Sequence, residues 1–135
     1  MQKYKIKEKF SDKVFIYKIL FFVWLILIFF LSSLEETRPP GLPDDFQFIL
    51  RKLFHVFEFF ILNLFLLKGF SKNKKDSILF ILISILFSIS DEIHQFFILN
   101  RVASIFDVLI DTIGITLAYI FYTFINKHKT VIKSK

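Results

Sequence analysis

The chain reads as four long apolar stretches set apart by short charged or proline-bearing segments. A helix needs roughly 20 apolar residues to cross a bilayer. The stretches run from about residues 14–34, 46–67, 77–99 and 102–125, and each meets that length. Composition agrees: 55% of the 135 residues are hydrophobic, 21 are Phe, and only 22% are charged. The sequence therefore predicts an all-α, integral membrane four-helix bundle, with residues 1–135 forming one multi-pass domain. The first stretch is longer than a signal-peptide core, and "FFLSSLEET" offers no small-x-small cleavage site, so it counts as a retained span. With no Cys in the chain, disulfides, thiolate nucleophiles and Cys-ligated zinc are excluded.

The lysines give the direction of insertion. Lys3, Lys5, Lys7, Lys9, Lys13 and Lys18 flank or enter the first span, and Lys68, Lys72, Lys74 and Lys75 surround the second connection. Lys127, Lys129, Lys133 and Lys135 follow the fourth span. Four spans bring all of these to one side and leave only Arg38, Arg51, Lys52 and Arg101 elsewhere. Cytoplasmic loops collect Lys and Arg, so both termini are expected in the cytoplasm. The net charge of +6 is then a topology signal that also attracts anionic lipid heads, and nucleic acid is not an expected partner. The first connection, with Pro39, Pro40, Gly41 and Pro43, reads as an external turn. The third is only about Asn100 and Arg101, which predicts a tight hairpin of spans three and four.

Against this background the ionisable residues of the outer halves stand out. Span two contributes Arg51, Lys52, His55 and Glu58, with Glu58 roughly 15 Å below the outer boundary at helical rise. Span three contributes Asp91, Glu92, His94 and Gln95, and span four Arg101, Ser104, Asp107 and Asp111. Their spacing follows helical faces: Ser84, Ser88, Asp91 and Gln95 form one stripe, and Ser104, Asp107, Asp111, Gly114 and Ala118 another. The second stripe is polar and small, and is expected to carry the packing of span four on span three. Glu92 and His94 fall off the main stripe, so one of them should face a neighbouring helix or the headgroups. Asn63, deeper in span two, reads as an interhelical hydrogen-bonding residue.

A charge near mid-bilayer costs at least about 2.5–3.5 kcal/mol, so this set must be paired, hydrated or metal-bound. Arg51, Lys52 and Arg101 oppose Glu58, Asp91, Glu92, Asp107 and Asp111, leaving an excess of negative charge. Buried ion pairs stabilise poorly, which favours a functional site over ion-pair glue. The candidate acid–base residues are His55, Glu58, Asp91, His94 and Asp107; the candidate binding residues are Arg51, Lys52, Glu92, Gln95, Arg101, Ser104 and Asp111. An imidazole beside a carboxylate suits general-base work, and the basic groups suit a phosphate or carboxylate. His55, Glu58, Asp91 and His94 also offer ligands for a divalent cation, although the spacing is no known zinc motif and metal-free chemistry is the favoured reading. Ser88, Ser90 and Ser104 are weak nucleophile candidates, since serines are common in membrane helices.

The chain resembles the VanZ-like family of small integral membrane proteins. The resemblance rests on "LSS" at Leu31–Ser33, the Lys52, His55, Glu58 pattern, "SDEIHQFF" at Ser90–Phe97, Arg101, and "DVLIDTIG" at Asp107–Gly114. Phe59, Leu99-Asn100 and Asp111 depart from the commoner Tyr, Pro-Gly and Asn. The name-giving member is associated with low-level resistance to teicoplanin, a lipid-tailed glycopeptide, and no settled reaction is attached to the family. The resemblance implies a bacterial cell-membrane protein. The favoured hypothesis is action at the outer envelope face, where the cluster engages a lipid-linked or phosphorylated headgroup, with membrane lipids or lipid-linked envelope precursors as partners. Two other classes compete. One is an intramembrane hydrolase or transferase, whose purified activity would disappear with His55 or Asp91. The other is a structural or partner-binding protein held by a buried ion-pair network. Headgroup transport, a further variant, would need a homo-oligomer.

Overall fold

The computed structural model describes residues 2–34, 43–99, 101 and 103–133, with side chains described from Asp12 to Lys127. Among these residues there are four helices and no strand: α1 (Gln2–Ser32), α2 (Asp44–Phe70), α3 (Lys74–Phe96) and α4 (Ile105–Lys133). All four contain a segment long and apolar enough to span a membrane, at Asp12–Ser32, Asp44–Phe70, Lys74–Phe96 and Ile105–Lys127. The first connection, read from sequence as a proline-rich external turn, lies outside the described residues apart from Pro43.

Local chemistry explains the boundaries. Pro43 precedes α2 with extended ψ, and Asp44 and Asp45 place negative charge on the exposed N–H groups of its first turn. Asn73 caps α3, its side chain accepting from the Asp76 N–H at 3.0 Å. Only residues 71–73 separate α2 from α3, which makes the two antiparallel neighbours. The α3–α4 connection differs from expectation. Helix α3 stops at Phe96 and α4 starts at Ile105, so the link is residues 97–104 rather than Asn100 and Arg101 alone. Ser104 is the reason at the far end. Its hydroxyl accepts from the Phe106 N–H at 3.2 Å and its carbonyl from the Asp107 N–H at 2.9 Å, the pattern of a helix N-cap. At the near end Phe97 and Ile98 close turns on the His94 and Gln95 carbonyls.

Helix α2 is the centre of the bundle. It packs most extensively on α4, then on α1, and less on α3. Its inward residues Phe59, Leu62 and Leu66 form one cluster with Phe21 and Ile28 of α1 and Ile115 of α4, and Leu67 and Ala118 are fully buried as well. The lipid-facing surface keeps its large apolar side chains exposed, as a bilayer solvent permits; Phe30, Phe54, Leu86 and Phe124 are examples. Two polar seams cross this core. Trp24 Nε1 donates to the Glu58 carbonyl at 2.9 Å, tying α1 to α2. Asn63 Nδ2 donates to the Ile115 carbonyl at 2.8 Å and Asn63 Oδ1 accepts from Ser84 Oγ at 3.0 Å, joining α2, α4 and α3.

Gly114 corrects the packing partner expected for the small face of α4. A Cβ there would fall on the Val56 carbonyl oxygen and within 3.1 Å of the Phe60 nitrogen. Both belong to α2. The Gly114 position therefore admits the α2 backbone, while α3 reaches the same face of α4 at Asp111, which accepts from the Ser88 hydroxyl.

Candidate functional site

The buried polar residues come from three consecutive helices, and backbone geometry decides which of them meet. Glu58, Asp91, Glu92, Gln95, Asp107 and Asp111 are all buried, Asp111 completely. His55 is nearly so, with 14% of its side chain accessible. Most of them sort into two groups, one toward α2 and α4 and the other toward α1.

The first group lies between α2, α3 and α4. Lys52 Nζ pairs with Asp107 Oδ1, linking α2 to α4. One turn further along, His55 Nδ1 faces Asp111 Oδ1 at 3.4 Å. Ser88 of α3 donates to the other oxygen, Asp111 Oδ2, at 2.6 Å. Glu92 Oε2 accepts the Ser104 backbone N–H at 2.8 Å. Each carboxylate thus has one oxygen anchored. The remaining polar atoms, His55 Nδ1, Glu92 Oε1 and Asp111 Oδ1, are buried without a hydrogen-bond partner, and they are the only such side-chain atoms among the described residues. An unsatisfied buried polar atom costs about 1–3 kcal/mol. One ligand atom from each of His55, Glu92 and Asp111 lies within 4.8 Å of those of the other two.

The second group lies between α3 and α1. Gln95 Nε2 donates to Asp91 Oδ2 at 2.7 Å and approaches Ser32 Oγ at 3.5 Å. His94 Nε2 and Ser33 Oγ share a hydrogen bond of 2.9 Å, and the His94 ring stacks on Phe29 with centroids 4.3 Å apart. Asp91, Ser90 and His94 border a cavity of about 200 Å³ whose other walls are Leu25, Ile28, Phe29, Phe59, Leu62 and Phe87.

Glu58 is buried on α2, one turn after His55. Arg101 donates from Nη2 to the Leu31 carbonyl at 3.1 Å and from Nε to the Leu34 carbonyl at 3.2 Å. It therefore adds donors to carbonyls at the C-terminal end of α1. Arg51 is exposed on α2 beside a depression formed with Asp44, Asp45, Gln47 and Phe48. The sequence sets Arg51, Lys52 and Arg101 equally against the carboxylates; in the structure Lys52 pairs with Asp107, and Arg101 goes to backbone carbonyls at the end of α1. Glu92 and His94, both off the main stripe of α3, each face a helix: Glu92 the start of α4, His94 the end of α1.

The structure also regroups the candidate metal ligands. Of His55, Glu58, Asp91 and His94, only His55 belongs to the three-ligand set, and its companions are Glu92 and Asp111. Helical phase within single spans could not show this. Glu92 reaches the site because residues 97–104 carry the Ser104 N–H back over it, and that link is longer than the apolar pattern suggests.

The chain matches the model of the VanZ/LLP1 family over residues 2–126. No curated protein and no solved structure matches it. With nearly the whole chain matched, it belongs to the VanZ/LLP1 family of membrane proteins.

Proposed function

We propose that this VanZ/LLP1-family membrane protein acts within the outer leaflet of the cell membrane. There its buried polar residues engage the lipid-linked or phosphorylated headgroup of an envelope component, and teicoplanin-type lipoglycopeptides bind the altered surface less well. The observation that carries this reading is a lateral groove of about 480 Å³ between α3 and α4. Ile89, Ile93, Phe96, Phe97, Ile105 and Val108 make it apolar, and Glu92 and Ser104 stand at its polar part. Phe96, Phe97 and Ile105 are 70–77% exposed, so the groove opens to the lipid. An amphiphile finds there what a mixed site must supply: apolar walls for chains and, directly behind Glu92, a desolvated polar cluster for a head. The segregated lysines support the outward orientation.

A second reading has its own observation. Lys52–Asp107 and His55–Asp111 both join α2 to α4, as a structural ion-pair network would. Near-isosteric variants separate the two. Glu58→Gln, Asp91→Asn and Asp107→Asn are to be compared for membrane-inserted protein, melting temperature and lipoglycopeptide susceptibility. A working site loses the phenotype with the protein still inserted and folded. If activity only follows abundance, the network reading replaces it; full activity in all three rejects the site.

A further inference from the structure

We propose that His55 Nδ1, Glu92 Oε1 and Asp111 Oδ1 form a binding site for one divalent transition-metal cation, held between α2, α3 and α4. Three independent features of the geometry converge on it. The first is that the three atoms are the unpartnered buried ones. Glu92 and Asp111 are 5% and 0% accessible, each with one unpartnered oxygen, and the Asp111 one stands 3.4 Å from the free ring nitrogen. Native interiors rarely leave such atoms orphaned, and the same three residues each offer a ligand atom within 4.8 Å of the others.

The second feature is the support behind the ligands. Ser88 Oγ holds Asp111 Oδ2, and the Ser104 N–H holds Glu92 Oε2. Metal-ligating carboxylates are oriented in this way, with one oxygen fixed by an outer partner and the other presented. A pair of carboxylates built only to repel or to bind water would not need both anchors.

The third feature is distance and charge. Ligand atoms about 2.0–2.2 Å from a common ion stand roughly 3.3–3.6 Å apart in a tetrahedral arrangement, and the His55–Asp111 separation is 3.4 Å. Lys52 is occupied by Asp107 and Arg101 by the α1 carbonyls, so neither is given to Glu92 or Asp111. A dication neutralises those two carboxylates. One imidazole and two carboxylates, without sulfur, suit zinc, manganese or ferrous iron better than calcium or magnesium, which favour all-oxygen shells. Three ligands also leave coordination positions open to an incoming oxygen.

The test is independent of any envelope phenotype, so its failure and that of the headgroup reading are distinguishable. The full chain, purified in detergent and stripped with chelator, is titrated with Zn²⁺, Mn²⁺ and Co²⁺ separately. Metal content, Co²⁺ visible absorption and melting temperature are followed. The expected result is saturable binding of one ion per chain, with a melting temperature raised by metal and returned by chelator. Asp111→Asn and Glu92→Gln should each weaken binding at least tenfold, and Ser88→Ala, which removes only an anchor, by about tenfold or somewhat less. A Ser84→Ala control at the neighbouring seam should bind as the parent does. Each variant's metal-free melting temperature reports folding, so a collapsed variant is replaced by Glu92→Asp, which keeps the charge but shortens the reach. No saturable binding, or binding unchanged in Asp111→Asn and Glu92→Gln, overturns the proposal and leaves His55 and Asp111 as a bare ion pair.

Discussion

Two polar clusters tie the same three helices together, and they are built on opposite rules. The deeper one is Asn63, Ser84 and the Ile115 carbonyl, neutral groups that close on one another at 2.8 and 3.0 Å. The other is His55, Glu92 and Asp111 with their anchors Ser88 and Ser104. His55 precedes Asn63 by eight residues on α2, which separates the clusters by about 12 Å along the helix. Both are buried, yet no atom of Asn63 or Ser84 is left unpartnered, whereas every member of the second trio leaves one. A seam selected for stability satisfies itself. In the charged set two carboxylates are each anchored through one oxygen and leave the other free beside His55, the arrangement that the proposed metal site would use.

The largest expected effect is all-or-none and concerns where the clusters lie in the membrane. The chain has no Cys, so a single introduced thiol gives an unambiguous signal. Gly41→Cys should label from outside intact cells with an impermeant reagent, and Asn73→Cys should not. That outcome puts the His55 cluster in the outer leaflet and the Asn63 seam deeper. Labelling at Asn73 alone inverts the comparison and turns the open cluster toward the cytoplasm.

Next in size is Gly114→Leu, which strikes both clusters together. Gly114 lies between Asp111 and Ile115 on α4, where a Cβ meets the α2 backbone at Val56 and Phe60. Backbone cannot rotate away as a side chain can, so the loss should reach or exceed about 3 kcal/mol, the upper end for overpacking. Thermal melting in detergent and in lipid measures it. An unchanged melting temperature would remove Gly114 from the α2–α4 contact.

Much of this was legible in the sequence, and the reasons for the rest are specific. Four apolar runs gave four helices because length and hydropathy alone decide spanning segments. Asn63 was readable as an interhelical residue, since an amide deep in an apolar helix has no other partner to find. Gly114 and Ala118 were readable as a close-packing face, but not whose backbone they admit, because periodicity marks a face and not its neighbour. The α3–α4 link was underestimated, since Ile98, Leu99 and Val102 extend the apolar pattern past the helix ends while Ser104 sets the cap. Glu92 was legible as a binding candidate, but its partner at the start of α4 was not, because helical phase marks a face and not its neighbour. A Ser-x-x-Asp cap signal at Ser104 and Asp107 was present and would have placed the start of α4.

A smaller effect is expected at the satisfied seam. Asn63→Leu keeps nearly the same volume but removes both interhelical hydrogen bonds. Such bonds average about 0.6 kcal/mol each inside membrane proteins, so the loss should be roughly 1 kcal/mol, seen as a modest fall in melting temperature. Ser84 can turn its hydroxyl to a carbonyl of its own helix, which limits the damage. Envelope phenotype should be retained in proportion to folded protein. A phenotype lost at full abundance would make the seam more than structural.

The smallest stability effect should come from Asp111→Asn, at the residue with no accessible surface at all. Measured on metal-free protein in lipid, its melting temperature should match the parent or exceed it slightly. The substituted amide can keep its oxygen toward Ser88 Oγ, replacing the 2.6 Å contact to Asp111 Oδ2. Its N–H group then points at His55 Nδ1, 3.4 Å from the present oxygen, and gives that orphaned nitrogen a donor. Two unsatisfied atoms become one hydrogen bond, and a buried negative charge disappears, which lowers the cost of insertion. Metal binding and phenotype should nonetheless be lost, since a neutral amide is a poor ligand for a dication. Stability kept while function goes is what separates this cluster from the Asn63 seam. If Asp111→Asn instead melts further below the parent than Asn63→Leu does, His55 and Asp111 form a stabilising charged pair. The two clusters would then differ in charge but not in purpose.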